Sequence, residues 1–284
     1  MVSQISPETC PRPFLKWAGG KSRLISQYID YFPQEYQTYY EPFLGGGAIF
    51  FYLLPPVARL TDINTELITT YRCVRDQVED LICLLQEHQK RHNKEYYYEM
   101  RACLGCTDLE RAARFIYLNK TCFNGLYRVN SQGKFNVPLG RYKNPNISPE
   151  NILRSASAAL STSVIEAADF TDILNYATSS DDFVYFDPPY HPVSETSYFT
   201  AYSSYCFGEN KQFQLRDIFV ELAQRGVKLM LSNSDCQFIR QLYKNFNIHT
   251  ISAKRSINSN AKKRGNISEV LVTSYGNEGG NRHK

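Results

Sequence analysis

Phe183-Val184-Tyr185-Phe186-Asp187-Pro188-Pro189-Tyr190 is the stretch from which the fold can be read. Its first four residues are aromatic or β-branched, the composition of a strand buried on both faces. Two prolines, which cannot donate ladder hydrogen bonds, then end it at the rim of a sheet. A carboxylate, a rigid carbonyl and an aromatic ring stand side by side at that rim. Together they can hold a planar ring that bears an amine.

Outward from this strand, apolar runs alternate with helical periodicity. Upstream, helices are expected over residues 149–160 and 170–177, with a strand over 163–166 between them. Downstream come a long loop over 191–207, a helix over 210–225, a strand over 227–231 and a helix over 235–244. Two strands, 246–252 and 268–275, close the chain, joined by a basic loop over 253–266. Alternating strands and helices predict a mostly parallel sheet, and the closing pair predicts an antiparallel edge.

Near the N-terminus, Tyr39-Tyr40-Glu41-Pro42-Phe43-Leu44 runs into Gly45-Gly46-Gly47 and then an apolar helix over 48–54. Strand, glycine turn and helix let a backbone approach a ligand with no Cβ in the way. A second strand over 57–60 ends in Thr61-Asp62, at the distance where an acid grips ribose hydroxyls, so the pair points to an adenosine-containing cofactor. Gly19-Gly20-Lys21-Ser22 ends like a phosphate-binding loop. The earlier glycine of that motif is replaced by Leu15, and no strand precedes it. What remains is a glycine turn opening a helix over 22–31, with Lys21 at its start.

The 284 residues carry 43% hydrophobic and 21% charged side chains, ordinary values for a globular chain long enough for one elaborated domain or two. No run of eighteen apolar residues crosses a membrane, and Met1 to Cys10 has no secretory signal. Eight cysteines (10, 73, 83, 103, 106, 122, 206 and 236) are scattered, as expected of reduced thiols in a cytoplasm. The net charge of +4 is unevenly spread: residues 111–143 hold seven Lys or Arg and no acid, and residues 244–284 hold eight against Glu269 and Glu278. Clusters of this kind fit a polyanionic partner.

Residues 67–100 read as helical, with Val74, Val78, Leu81, Ile82 and Leu85 on one face. His88, His92, Cys103 and Cys106 superficially offer zinc ligands, but their order is inverted relative to common fingers. The cysteines are read as small hydrophobes and no metal is expected. A helix with a basic face follows over 111–120. Residues 121–138 read as two short strands joined by a turn at Ser131 to Gly133. A protruding hairpin with Arg128 and amide side chains suits a nucleic-acid groove, where Arg is a two-pronged donor for guanine and Phe123 a wedge between bases.

Five motifs occur here in the order seen in the Dam family of DNA adenine methyltransferases, which this chain resembles over residues 13–275. They are Phe14 to Lys21, Glu41 to Gly47, Thr61-Asp62-Ile63-Asn64, Phe123-Asn124-Gly125-Leu126-Tyr127-Arg128 and Asp187 to Tyr190. The resemblance implies a Rossmann-like methyltransferase fold with a seven-stranded sheet and a smaller, mainly helical target-recognition domain. Residues 1–75 and 163–284 would form the catalytic domain and 76–162 the recognition domain. It implies S-adenosylmethionine as cofactor, held by Trp17, Lys21, Phe43, Gly45, Gly46, Gly47, Asp62 and Asp187. The reaction implied is methyl transfer to adenine N6 in GATC, with Asp187, Pro188, Pro189 and Tyr190 at the reacting base. Arg128 and Lys16 would each read a guanine, with Leu126 and Pro138 on neighbouring bases and Phe123 opening the duplex. Asn124 and Arg141 complete the expected DNA-binding set.

Duplex DNA, with single strands as a further candidate, is thus the expected partner of a bacterial cytoplasmic enzyme that is a monomer or weak dimer. A restriction endonuclease acting on the same site is the candidate companion. A cytosine-carbon methyltransferase would need a nucleophilic cysteine, commonly after proline, and no Pro-Cys pair occurs. Cytosine N4 methylation shares the hydrogen-bond logic and is the nearest enzymatic alternative. A non-catalytic DNA-binding subunit would have no need of the acid or the glycine turn.

Overall fold

A computed structural model describes residues 10–192, 207–254 and 266–276. The expected loop over 191–207 and the basic loop over 253–266 fall largely outside the described residues, as does 277–284. The strands are β1 (Thr38–Glu41), β2 (Ala58–Asp62), β3 (Val164–Ala167), β4 (Asp182–Phe186), β5 (Lys228–Ser234), β6 (Asn247–Lys254) and β7 (Asn266–Thr273). They form one sheet in the order β3-β2-β1-β4-β5-β7-β6. β1 is parallel to β2 and β4, and β4 to β5, whereas β7 runs antiparallel between β5 and β6. This is the expected Rossmann-like arrangement, its antiparallel edge made by the closing strand pair.

β4 lies at the centre because it can be buried on both faces. Phe183, Val184, Tyr185 and Phe186 are all fully buried, and removing such side chains from water contributes about 1.5–3 kcal/mol each. The pairing Tyr40↔Val184 on one side and Phe186↔Leu231 on the other fixes where β4 stops. Its next residue is Asp187, at the carboxyl edge where open α/β sheets carry their ligands.

The chain divides into two compact units, one of residues 1–22, 44–55 and 62–167, the other of 23–43, 56–61 and 168–284. The first holds the helices α2 (Ala48–Leu53), α3 (Thr65–Asp76), α4 (Val78–Arg91), α5 (Lys94–Ala102), α6 (Asp108–Thr121) and α7 (Glu150–Leu160). The second holds α1 (Ile25–Tyr28), α8 (Glu209–Gln224) and α9 (Gln237–Leu242).

The helical pattern over 67–100 is divided among three helices. Gln77, with φ −139°, ends α3 and begins α4, and extended Asn93 caps α5 by accepting from the Tyr96 N–H at 2.8 Å. The helix expected over 22–31 is a 3₁₀ turn, the four residues of α1 and a second 3₁₀ turn, Ile29–Tyr31. Leu24 supplies no side-chain cap and Pro33 follows closely, leaving too few residues for cooperative α-helix. Residues Phe170–Asn175 likewise form a 3₁₀ helix, begun by an Asp169 cap on the Thr171 N–H.

α6 is the axis of the first unit, packing against α3, α4 and α5. It starts with a capping box between Thr107 and Glu110 and buries nine of its residues. One of these is Arg114, whose Nε donates to the Met100 carbonyl at 2.8 Å and whose Nη2 donates to the Arg101 carbonyl at 3.0 Å. This guanidinium ties off the last turn of α5, whose final carbonyls have no partner within the helix. Arg114→Leu is expected to destabilise the protein by about 2–4 kcal/mol in urea unfolding, because two partly buried helix-end carbonyls lose their donors. Arg111→Leu, on the exposed face of the same helix, is the control.

Candidate active site and nucleic-acid interface

Within the first unit, the glycine turn lies against Trp17. Gly45 has φ +47°, and a Cβ built there would stand 2.8 Å from the indole Cδ1 and Nε1; one on Gly46 would stand 3.1 Å from the Trp17 Cβ. Gly47 adopts φ +64°, and its Cβ would meet the Tyr71 hydroxyl at 2.9 Å. Only backbone can line this cradle. The turn is held from both sides: the Asp62 carboxylate accepts from the Gly45 N–H at 3.0 Å, and the Tyr71 hydroxyl donates to the Gly45 carbonyl at 3.1 Å.

Asp62 also accepts from the Asn64 N–H at 2.9 Å, so it shapes the turn as well as offering oxygens to a ligand. Burial holds its carboxyl above the ordinary range, against the lowering effect of N–H donors from Asn64, Gly45 and Ile63. Lys21 is buried, with Nζ donating to the Gly19 carbonyl at 2.8 Å. Trp17, the glycines and Asp62 are therefore brought together. Tyr71, which the sequence did not single out, belongs with them.

The same unit carries the basic hairpin. The two strands expected over 121–138 reduce to isolated bridges, Cys122↔Leu139 and Val129↔Phe135. A 3₁₀ turn, Phe123–Gly125, with Asn124 in the left-handed region at φ 57°, interrupts the first strand. At the tip, the Asn130 side chain accepts from the Gln132 and Lys134 N–H groups, both at 3.0 Å. Arg128 Nε donates to the Asn136 side chain at 2.7 Å across the stem.

Phe123, Asn124, Arg128, Pro138, Arg141 and Lys16 are exposed, and Leu126 is half-buried. Buried Asn119 of α6 joins Lys16 to the hairpin base. It accepts from the Lys16 N–H at 2.9 Å and donates to the carbonyls of Lys16 at 2.8 Å and Gly125 at 3.1 Å. Gly125 makes this contact possible, since a Cβ there would lie 2.5 Å from Lys16 Cδ. Lys120, in the last turn of α6, is half-buried, its pKa lowered to about 8 by burial and by the charges of Lys16 and Arg12. An anionic phosphate would relieve that repulsion. Trp17, Phe115 of α6 and Tyr127 of the hairpin form a cluster of three rings, with Trp17 6.4 Å from Phe115 and 5.9 Å from Tyr127, and those two 5.1 Å apart, between ring centroids.

The helical histidines are committed elsewhere: His88 Nδ1 lies 2.6 Å from the Tyr96 hydroxyl and His92 Nδ1 lies 2.9 Å from the Tyr117 hydroxyl. The reading of Cys103 and Cys106 as small hydrophobes is corrected. Both are exposed, as is Cys83, because they lie on loops and on the outer helix face; among the described residues, Cys73 and Cys122 are the buried thiols.

In the second unit, four side chains grip the turn that follows β4. Ser232 of β5 donates to the Asp187 carboxylate at 2.9 Å. Having one proton, its hydroxyl must accept from Tyr185, 3.0 Å away. Gln212 of α8 donates to the Pro189 carbonyl at 3.0 Å and receives a bond from Asn233 at 3.1 Å. Asn233 in turn accepts from the His191 N–H at 3.1 Å. The Tyr190 hydroxyl donates to Glu269 of β7 at 2.7 Å. Pro188 is buried, whereas Asp187 and Tyr190 are partly accessible. Phe43 belongs to this unit and stacks on Phe170 at 5.4 Å. Ser232, Asn233, Gln212 and Glu269 carry no local motif, being 21 to 79 residues from their partners.

The arrangement offers a glycine cradle for an adenosine-bearing molecule, an exposed cationic hairpin, and a rigidly held carboxylate beside an aromatic ring. Residues 17–257 match the family model described as D12 class N6 adenine-specific DNA methyltransferase. The chain is 46% identical over 274 residues to the type II methyltransferase M1.LlaDCHI of Lactococcus lactis subsp. cremoris, covering 94% of this chain and 96% of the relative. It is 43% identical to the type II methyltransferase M.MjaIII of Methanocaldococcus jannaschii, covering 93% and 99%. To the DNA adenine methylase of Escherichia coli K12 it is 34% identical, covering 92% and 94%.

Gly45→Ala is expected to weaken binding of S-adenosylmethionine roughly tenfold or more, since it combines left-handed strain with a collision against Trp17. Calorimetric titration measures it. Unfolding by urea should show the loss in affinity to exceed any general destabilisation.

Proposed function

Because the chain belongs to the D12 class N6 adenine-specific DNA methyltransferase family, whose members methylate adenine N6 from S-adenosylmethionine, we propose the target sequence and the residues that perform the reaction. The preferred site is GATC. Supporting this are the hairpin motif Phe123 to Arg128 and the exposure of its Phe123, Asn124 and Arg128 together with Lys16. Arg128 and Lys16 each read a guanine, Leu126 and Pro138 contact neighbouring bases, and Phe123 opens the duplex beside the flipped adenine. Asn124 and Arg141 contact the backbone alongside. Residues 76–162 serve as the target-recognition domain. A restriction endonuclease for the same sequence is the companion, in keeping with relatives named as type II methyltransferases.

Trp17, Lys21, the glycine turn and Asp62 hold the cofactor. When bound, S-adenosylmethionine supplies an electrophilic methyl group on a sulfonium sulfur. Adenine N6 is a poor nucleophile because its lone pair is delocalised into the ring. The Asp187 carboxylate and the Pro188 carbonyl each accept one amino hydrogen, which draws the nitrogen toward tetrahedral geometry and frees the lone pair to point at the methyl. Alignment of this kind can lower the barrier by several kcal/mol. Positive charge developing on the nitrogen is stabilised by the adjacent carboxylate. Tyr190 stacks on the extruded base, offsetting part of the few kcal/mol that flipping costs.

The carrying observation is the constraint on Asp187: Ser232 fixes one carboxylate oxygen at 2.9 Å while Gln212 and Asn233 hold the backbone that follows. Mapping methylated bases on a random-sequence DNA pool tests base, atom and site together. N6-methyladenine within GATC is expected, and methylcytosine or another sequence context overturns the reading. Asp187→Ala is expected to abolish transfer while DNA affinity persists. Arg128→Ala is expected to cost about 1–3 kcal/mol of discrimination at one guanine; an equal loss on every sequence would show a phosphate contact instead.

A further inference from the structure

The geometry points to Glu269 as the residue that positions the Tyr190 ring for the target base. The inference rests on the proposed stacking of Tyr190 and extends it to a carboxylate with no place in the motifs above. Glu269 lies on β7, directly across from Ser234 of β5 in the antiparallel register. β5 also supplies Ser232, which holds Asp187. Neighbouring strands therefore each send one side chain to the same turn, one to its acid and one to its ring.

The Tyr190 hydroxyl donates to Glu269 Oε2 at 2.7 Å, close to the range of hydrogen bonds from a hydroxyl to a charged oxygen. Burial, and then the charge of Asp187, raises the Tyr190 pKa well above its ordinary value. The phenol thus stays protonated and the bond keeps its direction. A tyrosine ring turns about two torsions. The bond at the hydroxyl fixes where the far end of the ring lies, which restrains χ1. Because a phenolic O–H prefers the ring plane, the direction of its acceptor also biases the rotation about χ2 that sets that plane. The plane on which a base stacks is set before the base arrives, the kind of preorganisation that misplacement by an ångström destroys. A brace with only a structural role would affect stability without coupling to the step that moves the base.

A double-mutant cycle of Glu269→Ala and Tyr190→Phe separates these cases. Single-turnover methyl transfer is measured beside the fluorescence of 2-aminopurine at the target position, with S-adenosylmethionine affinity as the control. Each single substitution is expected to slow transfer roughly tenfold and to reduce the flipped-base signal, with cofactor affinity unchanged. The double variant should be no slower than either, and Glu269→Gln, which keeps an acceptor oxygen, should recover most of the rate. Multiplicative losses in the double variant, or a wild-type rate in either single variant, overturn the role of Glu269. If Glu269→Ala melts below the assay temperature, Tyr190→Phe decides alone, and a wild-type rate there overturns it. Tyr190→Ala tests the underlying reading separately: a wild-type rate removes stacking itself, whereas a slow Tyr190→Ala beside unaffected Glu269→Ala and Tyr190→Phe overturns only the inference.

Discussion

Parallel pairing of β4 between β1 and β5 is the constraint on which the second unit depends. A strand buried on both faces and hydrogen-bonded on both edges cannot slip by one residue without sending its aromatic side chains to the wrong faces. Its end point is therefore fixed, and with it the position of Asp187. The same pairing brings Ser232 level with the acid, because β5 continues past the register partner of Phe186. Core packing and the chemistry of the turn have one cause.

The first unit shows a comparable economy. Asp62 ends β2 and accepts from both the glycine turn and the start of α3, so a single carboxylate ties the strand end to the two turns around it. Trp17 covers the glycines on one side and stacks on Tyr127 of the hairpin on the other. An indole at that point makes the glycine turn and the hairpin stem parts of one packed body.

Much of this was legible in the sequence, for reasons that differ by element. β4 and its turn were readable because burial on both faces and two prolines leave a local signature. The glycine turn was readable because three consecutive glycines answer a steric demand, which the close approach of Trp17 explains. The hairpin's location was visible in its charge, but its strands were not: left-handed Asn124 breaks the first, and side-chain bonds from Asn130 and Arg128 replace part of the ladder. The exposed Cys103 and Cys106 were misjudged because composition cannot separate a loop thiol from a core thiol. Asn119, Ser232, Gln212 and Glu269 went unread since their partners are set by tertiary pairing, and no periodicity marks a residue that works across a fold.

The bond from Asn119 to both Lys16 and Gly125 bears on how such a protein could acquire a new recognition sequence. Lys16 and the hairpin are separated by about a hundred residues of chain yet are fastened to one amide on α6. A transplanted hairpin would bring new base contacts but would leave Lys16 anchored to the old support, unless the asparagine and the glycine beneath it travelled too. If Lys16 and the hairpin read bases as proposed, the smallest exchangeable module for altered specificity is thus a discontinuous one: the hairpin, the end of α6 and the segment around Lys16.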